Sequence, residues 1–288
     1  MTTAVIGATG RVGSEIVRGV LARGDAVTAL VRDPGKARRA FGEPDGLHIR
    51  ATRLDDPRDL TEALDGIRTV FIAMGSVGIE GVLQRIAISA AAGISSIEQV
   101  TRLSVLNTSA DSLGINQRAH YSIDQFASAA AVPYSTIRPA IFSASLLAAA
   151  PEVSASRTWT GLAGSGRMAL IDYRDAAEAG LRVLTDPALW GAHHDLTGPV
   201  PLSWPEALAL LSAELGESVT FQVVAERQFL EHLTGAGVPA GTAELLITRE
   251  WAILAGENDH TTGTFQQITG HPPRPVAEFL HDYRAEFL

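Results

Sequence analysis

The chain has 288 residues, a formal net charge of −9 and no cysteine. The absence of thiols excludes a cysteine nucleophile, disulfides, Cys-ligated zinc and iron–sulfur clusters. Lys36 is the only lysine among 23 basic side chains, so any lysine-assisted chemistry depends on that one residue. Because the acidic balance comes without a basic run, it argues against a nucleic-acid or anionic-membrane partner.

The apolar content of 46% fits a globular protein with one elaborate domain or two smaller ones. The longest uncharged apolar run, residues 140–151, is shorter than the roughly 18 to 20 residues needed to cross a bilayer. The first residues show no signal-peptide pattern, since they lead directly into a short apolar run that ends in glycine. We therefore expect a cytoplasmic enzyme or ligand binder.

Strand and helix patterns alternate through the first half of the chain. The strand patterns cover residues 4–6, 26–31, 47–51, 69–73, 100–103 and 134–138. The helical patterns cover residues 11–23, 36–41, 59–64, 79–92 and 117–130. This alternation predicts an α/β fold of the Rossmann type, a doubly wound parallel sheet with helices on both faces.

The pattern becomes less regular after about residue 150, where proline, glycine and longer loops appear. Short strands are predicted near 168–171, 194–197 and 219–223, and helices at 173–184, 225–233, 240–254 and 276–287. We interpret residues 1–150 as a dinucleotide-binding domain and residues 151–288 as a smaller C-terminal α/β cap over the substrate. Some of the short strands could return to the sheet of the first domain.

A glycine-rich turn connects the first predicted strand to the first predicted helix. Gly7 permits the sharp turn, Gly10 lets the backbone approach a pyrophosphate, and Gly13 lets the helix pack closely on the strand. The start of the helix offers free amides and a partial positive charge to phosphates. A tight turn without a ligand is the alternative, but the strand before it and the helix after it favour dinucleotide binding. The residues predicted to bind here are Gly7, Thr9, Gly10, Arg11, Val12 and Gly13.

The end of the second strand bears on which dinucleotide binds. NAD-binding proteins place an acidic residue there for the ribose hydroxyls, whereas this chain has Arg32 followed by Lys36. Their cationic groups suit a 2′-phosphate, so the sequence favours NADP. Asp33 offers the alternative, because a carboxylate one residue later could take the hydroxyls instead.

Several further motifs resemble those of the NmrA-like family, the atypical short-chain dehydrogenases. They extend over nearly the whole chain and are the 7–13 turn, residues 31–34, 102–104, His120 with Ile123 and Asp124, and residues 137–142, 171–176, 196–199 and 268–273. The chain departs from the family at Arg53, where an aspartate is common, and at 143–145, where an asparagine is common. The resemblance implies an NADPH-dependent reductase of quinones or triphenylmethane dyes, or a nitrogen-regulatory NADP sensor.

The usual acid of short-chain dehydrogenases is missing. Those enzymes use a tyrosine assisted by a lysine four residues later, but Lys36 precedes every tyrosine and Tyr121 is followed by Gln125 at that spacing. Hydride transfer without a strong acid suits electron-poor conjugated acceptors such as quinones or dye cations. We therefore expect the cofactor to perform the chemistry while the protein positions it, without a flavin or a metal.

The ligand cleft of a doubly wound sheet lies at the carboxyl ends of its strands. The residues predicted to line it and to bind the cofactor are Ala73, Met74 and Gly75 after the fourth strand, Ser104 after the fifth, and Pro139 and Phe142 after the sixth. His120 is the candidate catalytic residue, donating to the substrate or to the nicotinamide carboxamide, with Asp124 one turn later to orient its ring. The alternative is a structural histidine satisfied by Asp124.

Three functions remain in competition. The first is an NADPH-dependent oxidoreductase that passes hydride directly to a quinone-like or other conjugated small molecule. The second is a non-catalytic NADP-binding sensor that regulates a partner protein. The third is a non-redox enzyme that uses the cleft after the fold lost its dehydrogenase function. The sequence leaves a homodimer or a regulatory partner open.

Overall fold

The computed structural model describes residues 2–288, which form eleven strands and twelve α-helices. The strands are β1 (Thr2–Ile6), β2 (Ala26–Val31), β3 (Leu47–Ala51), β4 (Thr69–Ile72), β5 (Gln99–Leu103), β6 (Tyr134–Pro139), β7 (Thr158–Gly161), β8 (Arg167–Met168), β9 (His193–Leu196), β10 (Leu202–Ser203) and β11 (Thr220–Val223). The helices are α1 (Arg11–Ala22), α2 (Pro34–Phe41), α3 (Pro57–Ala63), α4 (Ile79–Ala92), α5 (Ile115–Ser128), α6 (Ala150–Ser156), α7 (Tyr173–Thr185), α8 (Trp204–Leu215), α9 (Glu226–Gly235), α10 (Ala240–Leu254), α11 (Thr264–Thr269) and α12 (Val276–Asp282). Short 3-10 turns cover Ser143–Ala149, Pro187–Leu189 and Arg284–Phe287.

Seven strands form one parallel sheet in the order β3-β2-β1-β4-β5-β6-β9. The strand order reverses between β1 and β4, so a crevice opens at the carboxyl ends of these two neighbours. This arrangement confirms the predicted doubly wound α/β fold.

Helices cover both faces of the sheet because its central strands are buried on both sides. Ile16 and Val17 of α1 pack on one face, and Leu60 of α3 and Ile88 of α4 pack on the other. Helix α7 lies directly against α1: a Cβ added to Gly19 would come within 2.5 Å of Leu181. The glycine on α1 therefore permits the close approach of the two helices.

The C-terminal half contributes both to the main sheet and to structure beyond it. Strand β9 extends the sheet alongside β6, while β8 pairs with β10 and β7 with β11 in two small sheets. A second core forms around Trp204, Leu208 and Leu211 of α8, packed with Leu146 and Phe287. The division into two domains at residue 150 stays a prediction.

Several local expectations from the sequence were wrong. Helix α8 was not predicted, although Ser203 and Glu206 form a capping box at its start. Helix α5 begins two residues earlier than expected, with Gly114 as its N-cap. The expected helix at 276–287 ends at Asp282 and continues as a 3-10 turn. Among residues 2–288, no helix is both long and apolar enough to span a membrane.

Candidate functional site

The glycine turn after β1 is held by backbone contacts that leave no space for a side chain at Gly7 or Gly13. Gly7 has φ +79°, and a Cβ there would lie 2.0 Å from the Ala73 carbonyl oxygen. A Cβ on Gly13 would lie 2.2 Å from the Gly7 carbonyl oxygen, whereas one on Gly10 would meet only that same oxygen, at 3.3 Å. The turn is therefore closely packed at Gly7 and Gly13 but open at Gly10, where a pyrophosphate has to approach the backbone.

Replacing Gly13 with alanine is expected to destabilise the protein by about 1–3 kcal/mol, because backbone must shift to admit the methyl group. Gly241 in α10 is the matched control, since a Cβ there meets nothing within 4 Å. Gly241→Ala should stabilise by about 0.5–1 kcal/mol through helix propensity. Urea unfolding measures the free energy of unfolding of both variants. Equal changes in the two would show that the contact between residue 13 and the Gly7 carbonyl does not affect stability.

A groove of about 340 Å³ runs from the glycine turn to the ends of β2 and β4. Eight of the residues predicted to bind the cofactor line it together: Gly7, Thr9, Gly10, Arg32, Lys36, Ala73, Met74 and Gly75. No side chain caps the start of α1, so its first amides keep their hydrogen-bonding capacity for a ligand. Arg11 is exposed at this helix start, while Val12 and Gly13 are buried under the turn. Their roles in binding stay predictions.

The charges at the end of β2 are arranged as a phosphate site would need. Asp33 caps α2, accepting hydrogen bonds from the amides of Gly35 at 2.8 Å and Lys36 at 3.1 Å. Within residues 2–288, Arg32 and Lys36 make no ion pair, and both side chains are exposed. The carboxylate is thus engaged in capping while the two cations are free. This geometry fits the 2′-phosphate of NADP better than the hydroxyls of NAD.

Arg53 lies in the loop after β3, next to the groove. With Arg32 it lines an adjacent depression of about 560 Å³, on the side of β3. Its guanidinium pairs with Asp56, and its backbone amide donates to Asp59 at 2.8 Å. Arg53 is therefore held in place by its own loop, which leaves Arg32 as the unpaired arginine nearest the groove.

A second cavity, of about 310 Å³, lies at the carboxyl ends of β5 and β6. The other three strand-end residues predicted for the cleft, Ser104, Pro139 and Phe142, line it. Helix α10 forms the opposite wall through Leu245, Leu246 and Arg249. A shallower depression shares Gly75 with the groove and Asn116 and Leu245 with the cavity, so the groove and the cavity adjoin.

A buried ionic network supports these strand ends from behind. The Arg102 guanidinium, fully buried, donates to Asp124, to Ser104 Oγ at 2.9 Å and to the Tyr134 hydroxyl at 2.6 Å. It also donates at 3.2 Å to Gln84 Oε1, whose amide nitrogen in turn donates at 2.6 Å to the Gly75 carbonyl. One arginine therefore connects the loop after β4, in the groove, to the end of β5, in the cavity.

Asp124 is the counter-charge of this network. It accepts from Arg102, from Arg138 Nη2 at 3.0 Å and from the Tyr134 hydroxyl at 2.9 Å. Burial acts to raise the pKa of Asp124, but the two arginines outweigh it and hold the pKa below its usual value. The carboxylate is therefore charged and paired.

His120 belongs to this network and faces neither the groove nor the cavity. Its side chain is buried, and its Nδ1 accepts a hydrogen bond from Arg102 Nη1 at 2.7 Å. The expectation that Asp124 orients the ring was wrong, because Asp124 bonds Arg102, Tyr134 and Arg138 instead. Burial, and then the Arg102 charge, hold the pKa of His120 well below its usual value, so the ring is neutral and carries its proton on Nε2. A catalytic role for His120 stays a prediction.

The depressed pKa of His120 predicts a loss of stability on acidification. An unfolded histidine takes up a proton near pH 6.5, whereas the folded ring resists it, so stability falls as the pH drops below about 6.5. His120→Asn, whose amide oxygen can still accept from Arg102, should remove about 1 kcal/mol of the loss between pH 7.5 and 5.5. Urea unfolding across this range measures it.

His271 supplies a control of opposite sign. Glu178 and the Pro272 carbonyl raise the pKa of His271, so its contribution is present below about pH 6.5 and is lost as the pH rises. His271→Asn should therefore steepen the loss on acidification, while His120→Asn flattens it. Parallel curves for the two variants would contradict the assigned directions.

The sequence did not reveal Arg102, Gln84 or Arg249 as functional candidates. A usable signal was present for Arg102, since an arginine within an otherwise buried strand needs a buried partner. No comparable signal marked Arg249 or Asn258, because their place in the cavity depends on how α10 and the following loop pack against β5 and β6.

Comparison with known proteins agrees with this geometry. The model of the NmrA-like family matches residues 1–261. An NAD(P)H azoreductase of Xenophilus azovorans is 31% identical over 98% of both chains, and quinone oxidoreductase 2 of Escherichia coli is 27% identical over 96% of both. The crystal structure of the E. coli NADPH-dependent quinone oxidoreductase, solved with NADPH, superposes with a TM-score of 0.90 at 25% identity and covers 99% of this chain and 100% of that one. The resemblance seen in the sequence is confirmed: the chain belongs to the NmrA-like family.

Proposed function

We propose that this protein is an NADPH-dependent reductase that transfers hydride directly to a quinone-like or other conjugated small molecule, without a Tyr-x-x-x-Lys pair and without a flavin. The observation that carries the proposal is the adjacency of two sites. A groove with a glycine turn and two unpaired cations meets a largely apolar cavity at the strand ends. A dinucleotide in the groove would bring its reactive end to that cavity.

The protein groups supply binding and exclusion of water. The glycine turn and the start of α1 would hold the pyrophosphate, and Arg32 with Lys36 would hold the 2′-phosphate. Pro139 and Phe142 wall the cavity where the acceptor would lie. When bound, NADPH supplies the hydride; the protein fixes the acceptor beside it and shields the transfer from solvent.

The named relatives support a reductase. One acts on azo compounds with NAD(P)H and another is a quinone oxidoreductase, and each covers nearly the whole chain. Both acceptor types are conjugated and electron-poor, as expected for a site that lacks the tyrosine–lysine acid. A small-molecule acceptor therefore suits both the relatives and the size of the cavity.

The test is turnover of NADPH against a panel of quinones, azo compounds, enones and a cationic triphenylmethane dye, followed by NADPH absorbance. Oxidation that depends on both enzyme and acceptor supports the proposal. Tight NADPH binding without oxidation by any acceptor would contradict it and favour the sensor that regulates a partner protein. Repeating the assay with NADH tests the preference for the phosphorylated cofactor.

A further inference from the structure

Arg249 places a guanidinium at the wall of the acceptor cavity. It lies in α10 and lines the cavity opposite Ser104 of the main sheet. Its side chain is 23% exposed, so it is neither a solvated surface charge nor fully buried. An arginine in a mostly apolar cavity is costly unless it has a partner, because its charge loses hydration there.

The orientation of Arg249 is fixed by a buried carboxylate. Its Nε and Nη2 donate to Glu250 Oε1 at 3.1 and 2.7 Å, and its Cζ lies 5.5 Å from the centre of the Trp204 ring. Glu250 is itself held, since its Oε2 accepts from Trp204 Nε1 at 3.0 Å and from the Ala163 amide at 3.2 Å. One edge of the guanidinium is therefore locked in place.

The remaining nitrogen of that guanidinium has no partner. Among residues 2–288, none bonds Arg249 Nη1. This nitrogen is not enclosed by the protein, so it stays open to the cavity that Arg249 lines. Asn258 lines the same cavity, but its Nδ2 is enclosed and without a hydrogen-bond partner in the described chain, so it offers no donor to a ligand there. An oriented guanidinium with a free, accessible N–H in a mostly apolar cavity is suited to bind a ligand oxygen.

We propose that Arg249 is a substrate-binding residue that donates a hydrogen bond to the acceptor oxygen on which negative charge develops. This inference rests on the proposed function. On transfer, the hydride and its electron pair pass from NADPH to the quinone, which leaves NADP⁺ and a hydroquinone monoanion. The charge of that anion lies on oxygen, and a proton from water completes the hydroquinone. A fixed guanidinium stabilises this oxyanion more than the neutral quinone.

The competing account is that Arg249 only ties α10 to the cap through Glu250. A cationic triphenylmethane dye separates the two, because hydride converts it to a neutral product and no oxyanion forms. A structural role would affect both substrates alike, whereas the proposed role affects only the quinone.

The kinetic test compares Arg249→Gln and Arg249→Lys with Arg227→Gln, an exposed control on α9 whose ion-pair partner within residues 2–288 is Glu231. For 1,4-naphthoquinone we expect Arg249→Gln to lower kcat/KM at least about 10-fold, mainly through kcat, with partial recovery in the lysine variant. For crystal violet the change should stay within about 2-fold. Equal losses for both acceptors, or no loss for the quinone, overturn the proposal.

A binding test without turnover keeps the two proposals separate. Calorimetry of the NADP⁺-loaded protein compares 2-naphthoate, a stable oxygen anion, with the neutral 2-naphthalenemethanol. We expect Arg249→Gln to weaken naphthoate binding about 10-fold and alcohol binding less than about 2-fold. Failure of the wild type to prefer naphthoate, or equal losses in the variant, overturns the role of Arg249. If the protein reduces no acceptor, the proposed function is overturned instead. The calorimetric result can still be interpreted in that case.

Discussion

Replacing Arg32 with glutamate is expected to weaken NADPH binding by about 100-fold or more while changing NADH binding by less than about 3-fold. The arginine is exposed at the edge of the groove and has no ion-pair partner in the described chain, so its charge is available to a phosphate. In the proposed binding mode, the variant replaces an attractive charge with a repulsive one beside the 2′-phosphate, the only part of the cofactor that differs between NADPH and NADH. Fluorescence titration with each dinucleotide measures both constants.

The matched control is Arg38→Glu, a charge reversal of the same size on α2. Arg38 pairs with Glu43 and does not line the groove. It should change the affinity for NADPH only a few-fold, through long-range electrostatics that salt screens. Lys36→Gln should lower the affinity for NADPH more than Arg38→Glu does and less than Arg32→Glu does. Equal losses of affinity for NADPH and NADH in Arg32→Glu would show that Arg32 does not bind the 2′-phosphate.

The groove beside the glycine turn could be predicted because its determinants are local in sequence. The glycine turn needs only the strand before it and the helix after it, and all three lie within residues 2–22. Arg32 and Lys36 follow one strand, so their place at its carboxyl end comes from the strand pattern alone. The structure added the engagement of Asp33 in capping α2, which depends on amides at the start of a short helix.

The cavity at the ends of β5 and β6 could be predicted only on one side. Ser104, Pro139 and Phe142 end strands of the main sheet, so the rule for parallel strands places them together. Arg249 and Asn258 enter from α10 and the loop after it, and nothing in their local sequence fixes how that part packs over the sheet. The partner of His120 was likewise misassigned, because its neighbour at i+4 is drawn away by two arginines on β5 and β6.

The Arg102 network has a consequence for catalysis as well as for stability. Through Gln84, Arg102 holds the loop after β4, which lines the groove. Through Ser104 it holds the end of β5, which lines the cavity. Under the proposed function, a change at Arg102 should therefore disturb the relative position of cofactor and acceptor, to which hydride transfer is sensitive.

Arg102→Met is expected to destabilise the protein by about 3–5 kcal/mol. The change removes the main partner of Asp124 and leaves a buried carboxylate whose remaining charged partner is Arg138, with hydrogen bonds from Tyr134 and Ser104. Urea unfolding at pH 7 measures the loss. Arg68→Met is the matched control, because Arg68 makes an equally well-formed pair with Glu98 on the exposed surface and should cost less than about 1 kcal/mol.

A double variant tests whether the loss of stability in Arg102→Met arises from the charge of Asp124 that has lost its main partner. Combining Arg102→Met with Asp124→Leu removes both members of the buried pair, so the protein should regain more than about 1 kcal/mol over Arg102→Met alone. The recovery would stay incomplete, since Tyr134 and Arg138 lose their acceptor. A double variant less stable than the single one would show that Arg102 acts through packing and its neutral hydrogen bonds rather than through the charge of Asp124.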